Sequence, residues 1–233
     1  MQKNTIKSFV FTRARGLNRQ KIEALTTNMS EKTLSFEQIA QFVQNKTQMG
    51  FEKIIFEIGA GYGHTALHYA KNNPTTLYIA CEVYVKGLAN IYQKLCEEKL
   101  NNLYLCSTDA IEILHGLAKL NLQLNGLFIF YPDPWPKAKH NKRRIFSEKN
   151  LPLFASVLHP NCPLLFATDH NDYKTWAMQT IISHISSPAP LFSWAATSQE
   201  YFNNPPSWWV STKFEQKAIK EGRSAMYINL TKK

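Results

Sequence analysis

The sequence lacks several features that would direct its reading elsewhere. No apolar run approaches the roughly 18 residues that would cross a membrane. The opening stretch MQKNTIKSFVFTRARG carries no apolar h-region, which argues against secretion and for a cytoplasmic protein. The four cysteines, Cys81, Cys96, Cys106 and Cys162, are widely spaced and form neither a CxxC pair nor a zinc pattern. They are expected as reduced thiols, with no metal site. Acid is scarce: 17 Asp and Glu face 27 Lys and Arg, for a net charge of +10. Residues 1–22 contain no acid at all, but carry Lys3, Lys7, Arg13, Arg15, Arg19 and Lys21. A second basic zone holds Lys137, Lys139, Lys142, Arg143 and Arg144 within eight residues. Such zones usually neutralise phosphates and release counterions; for the N-terminal zone a solvated basic arm is the plainer alternative.

What is present is a globular composition, 44% hydrophobic and 19% charged over 233 residues. Residues 1–30 are expected as a basic arm and 31–233 as a single domain. A short helix is expected over 31–45. From Lys53 onward apolar runs alternate with helical stretches. KIIFEI (53–58), LYIACE (77–82), LYLC (103–106), GLFIFY (126–131) and PLLFAT (163–168) read as strands. Residues 64–72, 84–99, 110–120, 147–158 and 172–185 read as helices. LFSWA (191–195) and SAMYINL (224–230) supply the last strands, with a long loop between them. The alternation implies an α/β fold built on a parallel sheet. Ligands of such sheets bind outside the carboxyl ends of the strands.

The first strand ends in EIGAGYG, which places Glu57, Gly59, Gly61 and Gly63 together. The Walker pattern GxxxxGK[ST] is absent, and GxGxxG fails at His64. A G-x-G-x-G turn at this point resembles the cofactor loop of S-adenosylmethionine-dependent methyltransferases. Glu82 ends the second strand, where an acid can accept hydrogen bonds from ribose hydroxyls. Asp109, after the third strand, suits both a helix N-cap and a contact to an adenine amino group. The fourth strand delivers YPDPWPK, in which Asp133 stands between two prolines in a stiff segment. Trp135 would stack on a base or anchor the loop, the latter being preferred. Thr168, Asp169 and His170 end the fifth strand, His170 fitting a turn better than catalysis. Thr212, Lys213, Phe214 and Glu215 would surround a guanine, or open a helix as a capping box. Trp208 and Trp209 fit core packing better than a stacking platform.

These motifs together resemble the bacterial tRNA (guanine-N7-)-methyltransferases, from IKSFV at 6–10 to the last strand. The resemblance rests on EIGAGYG, YPDPWPKAKHNKRR, ATD at 167–169 and TKFE at 212–215. It implies the Rossmann-like, seven-stranded class I methyltransferase sheet with its last strand antiparallel. It implies transfer of a methyl group from S-adenosylmethionine to N7 of guanine 46 in the tRNA variable loop, leaving S-adenosylhomocysteine. Donor contacts would fall on Glu57, Glu82, Asp109 and Asp133, with Asp133 also the proposed catalytic acid. Substrate contacts would fall on Lys137, Asp169 and Thr212 to Glu215. The RNA-binding run would be Lys139, His140, Asn141, Lys142, Arg143 and Arg144, in a monomer or a homodimer.

The chain departs from the family pattern in three places. The family usually follows TKFE with a basic residue and glycine, where this chain has Gln216, Lys217, Ala218 and Ile219, with Gly222 and Arg223 later. His159 to Pro163 replace a turn that usually has paired glycines. Asn229 stands near where many members have an acid.

Guanine N7 carries an available lone pair, so its methylation needs no general base. Catalysis should then come from alignment and from acids that steady the charge developing on the base. Competing readings are another nucleic-acid amino-methyltransferase, since PDPW is superficially like [DN]PP[YF], and a silent RNA-binding relative. NKRR and TKFE argue against the first. The glycine turn, Glu82 and Asp133 argue against the second. A dehydrogenase fits least, given His64 and the basic cluster.

Overall fold

The computed structural model describes residues 27–196, 198 and 200–233, without the side chains of Lys213 and Phe214. The arm expected over 1–30 lies outside the described residues except for its last four, of which Met29 is buried in the core. Seven strands form one sheet: β1 Lys53–Ile58, β2 Thr76–Cys81, β3 Leu103–Cys106, β4 Gly126–Phe130, β5 Pro163–Thr168, β6 Phe192–Trp194 and β7 Met226–Lys232. Their spatial order is β3-β2-β1-β4-β5-β7-β6. The neighbours from β3 to β5 pair in parallel, and β7 runs antiparallel to both β5 and β6. Strand order therefore reverses between β1 and β4, and the crevice of a doubly wound sheet opens at that point.

The helices are α1 Phe36–Asn45, α2 His64–Asn72, α3 Val85–Glu97, α4 Ala110–Lys119, α5 Leu151–Ser156, α6 Asn171–Ile185, α7 Glu200–Asn203 and α8 Lys213–Lys220. The period-2 alternation of β1 sends Ile54, Phe56 and Ile58 into one core layer and Ile55 into the other. The first layer is covered by α1, α4, α5 and α6, through residues such as Ile39, Leu114, Phe154 and Ile181. The second is covered by α2 and α3, through Leu67 and Ile91, and by Trp208 and Trp209. Trp208 stacks on Phe128 at 5.5 Å, and Trp209 meets Phe130 edge-on at 4.8 Å. Each such pair adds about 0.5–1.5 kcal/mol beyond area burial, so both tryptophans pack the core, as expected.

Three expected elements differ. The first helix starts only at Phe36, because Ser35 closes a capping box with Gln38. Residues 30–32 instead form a 3-10 turn, after which Leu34 N–H bonds the Leu105 carbonyl at 2.8 Å on the edge of β3. The helix expected over 147–158 shrinks to α5, whose first turn holds Pro152. The basic run 138–143 is a 3-10 helix, and the long loop before β7 contains α7 and α8.

Candidate active site

The turn after β1 puts Gly59, Gly61 and Gly63 at φ of +75°, +56° and +76°, a region glycine enters without strain. The carboxylate of Glu82 holds this turn. It accepts Gly61 N–H on one oxygen, and Val83 and Tyr84 N–H on the other, all at 2.8 Å. Burial nonetheless pushes its carboxyl up; these backbone bonds oppose the shift and the Asp133 charge adds to it. Helix α3 closes the turn from outside, and a Cβ on Gly87 would sit 2.3 Å from the Gly61 carbonyl oxygen. Glu57 lies beneath the turn, 2% exposed, and accepts the Tyr78 hydroxyl proton at 2.9 Å. Burial pushes its carboxyl up to about 8, opposed by the Tyr78 bond and helped by Glu82.

From β4 the chain enters the crevice through two left-handed non-glycine residues, Tyr131 (φ +51°) and Trp135 (φ +44°). Each costs on the order of 1–3 kcal/mol and persists only where the surroundings enforce it. Between them Pro132, Asp133 and Pro134 form a ridge with a cavity on each side. A cavity of about 260 Å³ is lined by Gly59, Gly61, Glu82, Trp135 and Arg143. Another, of about 230 Å³, is lined by Thr168, Asp169, His170, Lys217 and Arg223. Tyr131, Pro132 and Asp133 line both. Asp133 is open to solvent at this ridge, but the concave walls withhold enough water to raise its carboxyl.

In the second cavity Asp169 is already paired. Arg223 reaches its Oδ2 through Nε at 2.9 Å and Nη2 at 2.8 Å, and also contacts Glu221. The floor continues into a buried polar chain. Glu215 accepts Trp209 Nε1–H at 2.9 Å and the Tyr227 hydroxyl proton, and burial first, then Tyr227 and Glu215, raise the Tyr131 phenol. Thr212 caps α8 by accepting Glu215 N–H at 3.1 Å. Only half of the expected capping box forms, because the Glu215 carboxylate is turned inward.

The structure thus brings Gly59, Gly61, Glu82 and Asp133 to one cavity, and Asp133 and Asp169 to the other. Gly63 is the N-cap of α2, packed against Ile91, and Asp109 is the N-cap of α4, accepting Ile111 N–H at 2.8 Å. Neither lines a described cavity, nor does Glu57, whereas Ala110 beside Asp109 does. Thr212 and Glu215 are buried and line neither cavity, and the side chains of Lys213 and Phe214 are not among those described.

Lys137, Lys139 and Lys142 are exposed on the 3-10 turn, with His140 and Asn141 half-buried. Partial burial and then the charges of Arg143, Lys139, Lys137 and Lys142 push the His140 imidazole down. Arg143 lies over the Trp135 ring at 4.8 Å. Trp135 is therefore a half-buried cavity wall rather than the core anchor expected. Arg144 departs from the run: it is 3% exposed and points into the protein. Tyr131, Arg143, Lys217 and Arg223 join the cavities without having been singled out there. Only the basic character of the last three gave any signal in the sequence. Among the described residues no group of three or more His, Cys, Asp or Glu could hold a metal ion.

Residues 52–228 match the model of the "Putative methyltransferase" family. A tRNA (guanine-N(7)-)-methyltransferase of Bartonella henselae is 38% identical over 184 residues, 78% of this chain and 76% of that protein. One from Agrobacterium fabrum is 36% identical over 180 residues, 77% of this chain and 75% of its own length. Among solved structures, an antibiotic-related methyltransferase superposes with a TM-score of 0.54 at 17% identity, covering 84% of this chain and 94% of that one. The 16S rRNA methyltransferase KamB gives 0.52 at 13% identity, covering 81% and 92%. At these identities the structural likeness shows the fold, a class I methyltransferase sheet.

Proposed function

Because this chain belongs to the tRNA (guanine-N(7)-)-methyltransferase family, we propose that it transfers a methyl group from S-adenosylmethionine to N7 of guanine 46 in the tRNA variable loop. The observation that carries the reading is the Asp133 ridge, one acid shared by two cavities at the point where the strand order reverses.

The cavity bounded by the glycine turn and Glu82 suits the donor. Its backbone is open beside Gly59, where a Cβ would meet nothing within 4 Å beyond the adjoining residues of the chain. Glu82 has acceptor capacity left for ribose hydroxyls, since an ionised carboxylate offers about four lone-pair sites and three are used. The bound cofactor supplies an electrophilic methyl group on a sulfonium.

The other cavity suits guanine. Its N1–H and amino donors match Asp169 and would replace the guanidinium of Arg223 there. Asp133 would hold the base with N7 facing the donor cavity, and its charge would steady the cation that forms as N7 is alkylated. No proton has to leave N7. Asp133 therefore orients and stabilises rather than removing a proton. Lys137, Lys139 and Lys142 on the 3-10 turn, with Arg143, would hold the surrounding phosphates.

Incubation with labelled S-adenosylmethionine and unmodified tRNA, followed by mapping of 7-methylguanosine, tests this. One label per tRNA at guanine 46 is expected. Label on an exocyclic amine, or none, would refute the assignment.

A further inference from the structure

Arg144 closes the basic run in sequence but not in space. Its side chain lies under the 3-10 turn, 3% exposed, where no phosphate can reach it without unfolding the segment. Its Nε donates to the Pro134 carbonyl at 2.9 Å, and Nη1 to the Asp172 carbonyl at 3.3 Å. The guanidinium plane lies over Tyr173 at 4.9 Å and over Trp176 at 5.4 Å. Those two rings are themselves tied to the next stretch of chain. Tyr173 hydroxyl accepts Phe146 N–H at 3.0 Å, and Trp176 Nε1–H donates to the Phe146 carbonyl at 2.9 Å. One side chain therefore joins the start of α6, the segment after the basic run and the ridge between the two cavities.

The contact falls at a sensitive bond. The Pro134 carbonyl belongs to the peptide linking Pro134 to Trp135, and Trp135 is left-handed. A side chain with a Cβ does not hold that conformation unaided. The orientation of this peptide sets where the Trp135 ring stands in the donor cavity. It also sets how Asp133, one residue earlier, is presented to both cavities. Among the described residues no side-chain carboxylate hydrogen-bonds Arg144, and its Nη2 is buried without a hydrogen-bond partner there. A buried cation retained on two carbonyls and two rings is costly. A planar fork that can donate in-plane while stacking on aromatic faces is the property that only arginine brings there.

We propose that Arg144 is a positioning residue, which locks the Pro134–Trp135 peptide and thereby sets Asp133, and that it is no contact of the RNA-binding run. The proposal rests on the reading of Asp133 given above.

The test compares Arg144→Met, Arg144→Lys and the double variant Lys139→Ala/Lys142→Ala in the full chain. For Arg144→Met we expect kcat to fall at least tenfold. KM for tRNA should stay within about twofold, and the salt dependence of tRNA binding should match the wild type. S-adenosylhomocysteine affinity, read by calorimetry, should fall at least fivefold, because Trp135 and Asp133 wall that cavity. Arg144→Lys should not restore either value. The lysine pair should do the reverse, weakening tRNA binding and flattening its salt slope with S-adenosylhomocysteine affinity unchanged. Phenylglyoxal labelling of the wild type, mapped by mass spectrometry, needs no variant to fold. Arg144 should resist modification with or without tRNA. Weakened tRNA binding with a shallower salt slope in Arg144→Met at unchanged kcat, rescue by lysine, or ready labelling of Arg144 that tRNA blocks would each overturn the proposal. A wild type that binds S-adenosylhomocysteine but methylates no tRNA would instead defeat the functional reading, and the calorimetry would still decide Arg144.

Discussion

Glu57 lies sealed beneath the glycine turn, 2% exposed, with its carboxyl raised to about 8. Burial is the main cause; the Tyr78 hydrogen bond opposes it and the Glu82 charge adds to it. The unfolded chain releases this proton near the ordinary 4.5. Between those two values the folded protein holds a proton that the unfolded chain has lost, so its contribution to stability is full below about 4.5 and drains away as pH rises to about 8. Glu57→Gln keeps an acceptor for Tyr78 and cannot ionise. Thermal melts should show the variant gaining on the wild type from pH 5 to pH 8, by on the order of a few kcal/mol. A constant difference across that range would mean Glu57 is already ionised in the fold. At this scale the sequence placed the acids well, since Glu82, Asp133 and Asp169 all follow strand ends. It could not show that Arg223 is paired with Asp169 or that Arg144 turns inward. Both depend on which way a side chain leaves the backbone, and charge patterning does not encode that.

Helix α3 and the glycine turn meet backbone to side-chain-free backbone at Gly87. A methyl group there would stand 2.3 Å from the Gly61 carbonyl oxygen and 3.3 Å from Glu82 Cγ. Gly87→Ala should therefore cost about 1–3 kcal/mol through overpacking, and weaken S-adenosylmethionine binding more than tRNA binding in calorimetric titrations. Equal stability and affinity would show that the turn yields without consequence. At the start of α8, Thr212→Ala removes the hydroxyl that accepts Glu215 N–H and should cost about 1 kcal/mol in denaturant unfolding. Strands were legible to within two residues at their ends, because continuous apolar runs bounded by turns leave few alternatives. The helix expected over 147–158 was not. Asn150 donates to the Ile145 carbonyl at 2.7 Å, holding an irregular approach that hydrophobic spacing cannot distinguish from helix. The stretch between β6 and β7 read as a long loop apart from the helix start weighed at Thr212, because α7 and α8 are short.

Taken as one molecule, the chain carries an excess of ten positive charges, part of it displayed on a 3-10 turn beside two cavities joined by one carboxylate. Removing Lys139 and Lys142 together should lower the salt slope of tRNA binding by about 1 for each phosphate left without its cation. The doubly wound sheet and its switch point followed from the order of apolar runs. The division of the crevice into two cavities did not, because it depends on the left-handed turns at Tyr131 and Trp135. The central claim is that Asp133 faces donor and base at once and acts through its charge. Single-turnover methyl transfer by Asp133→Asn, with tRNA and S-adenosylmethionine saturating, tests it most directly. The account predicts a rate at least a hundredfold below wild type, with no recovery as pH is raised; a rate within threefold of wild type would contradict it.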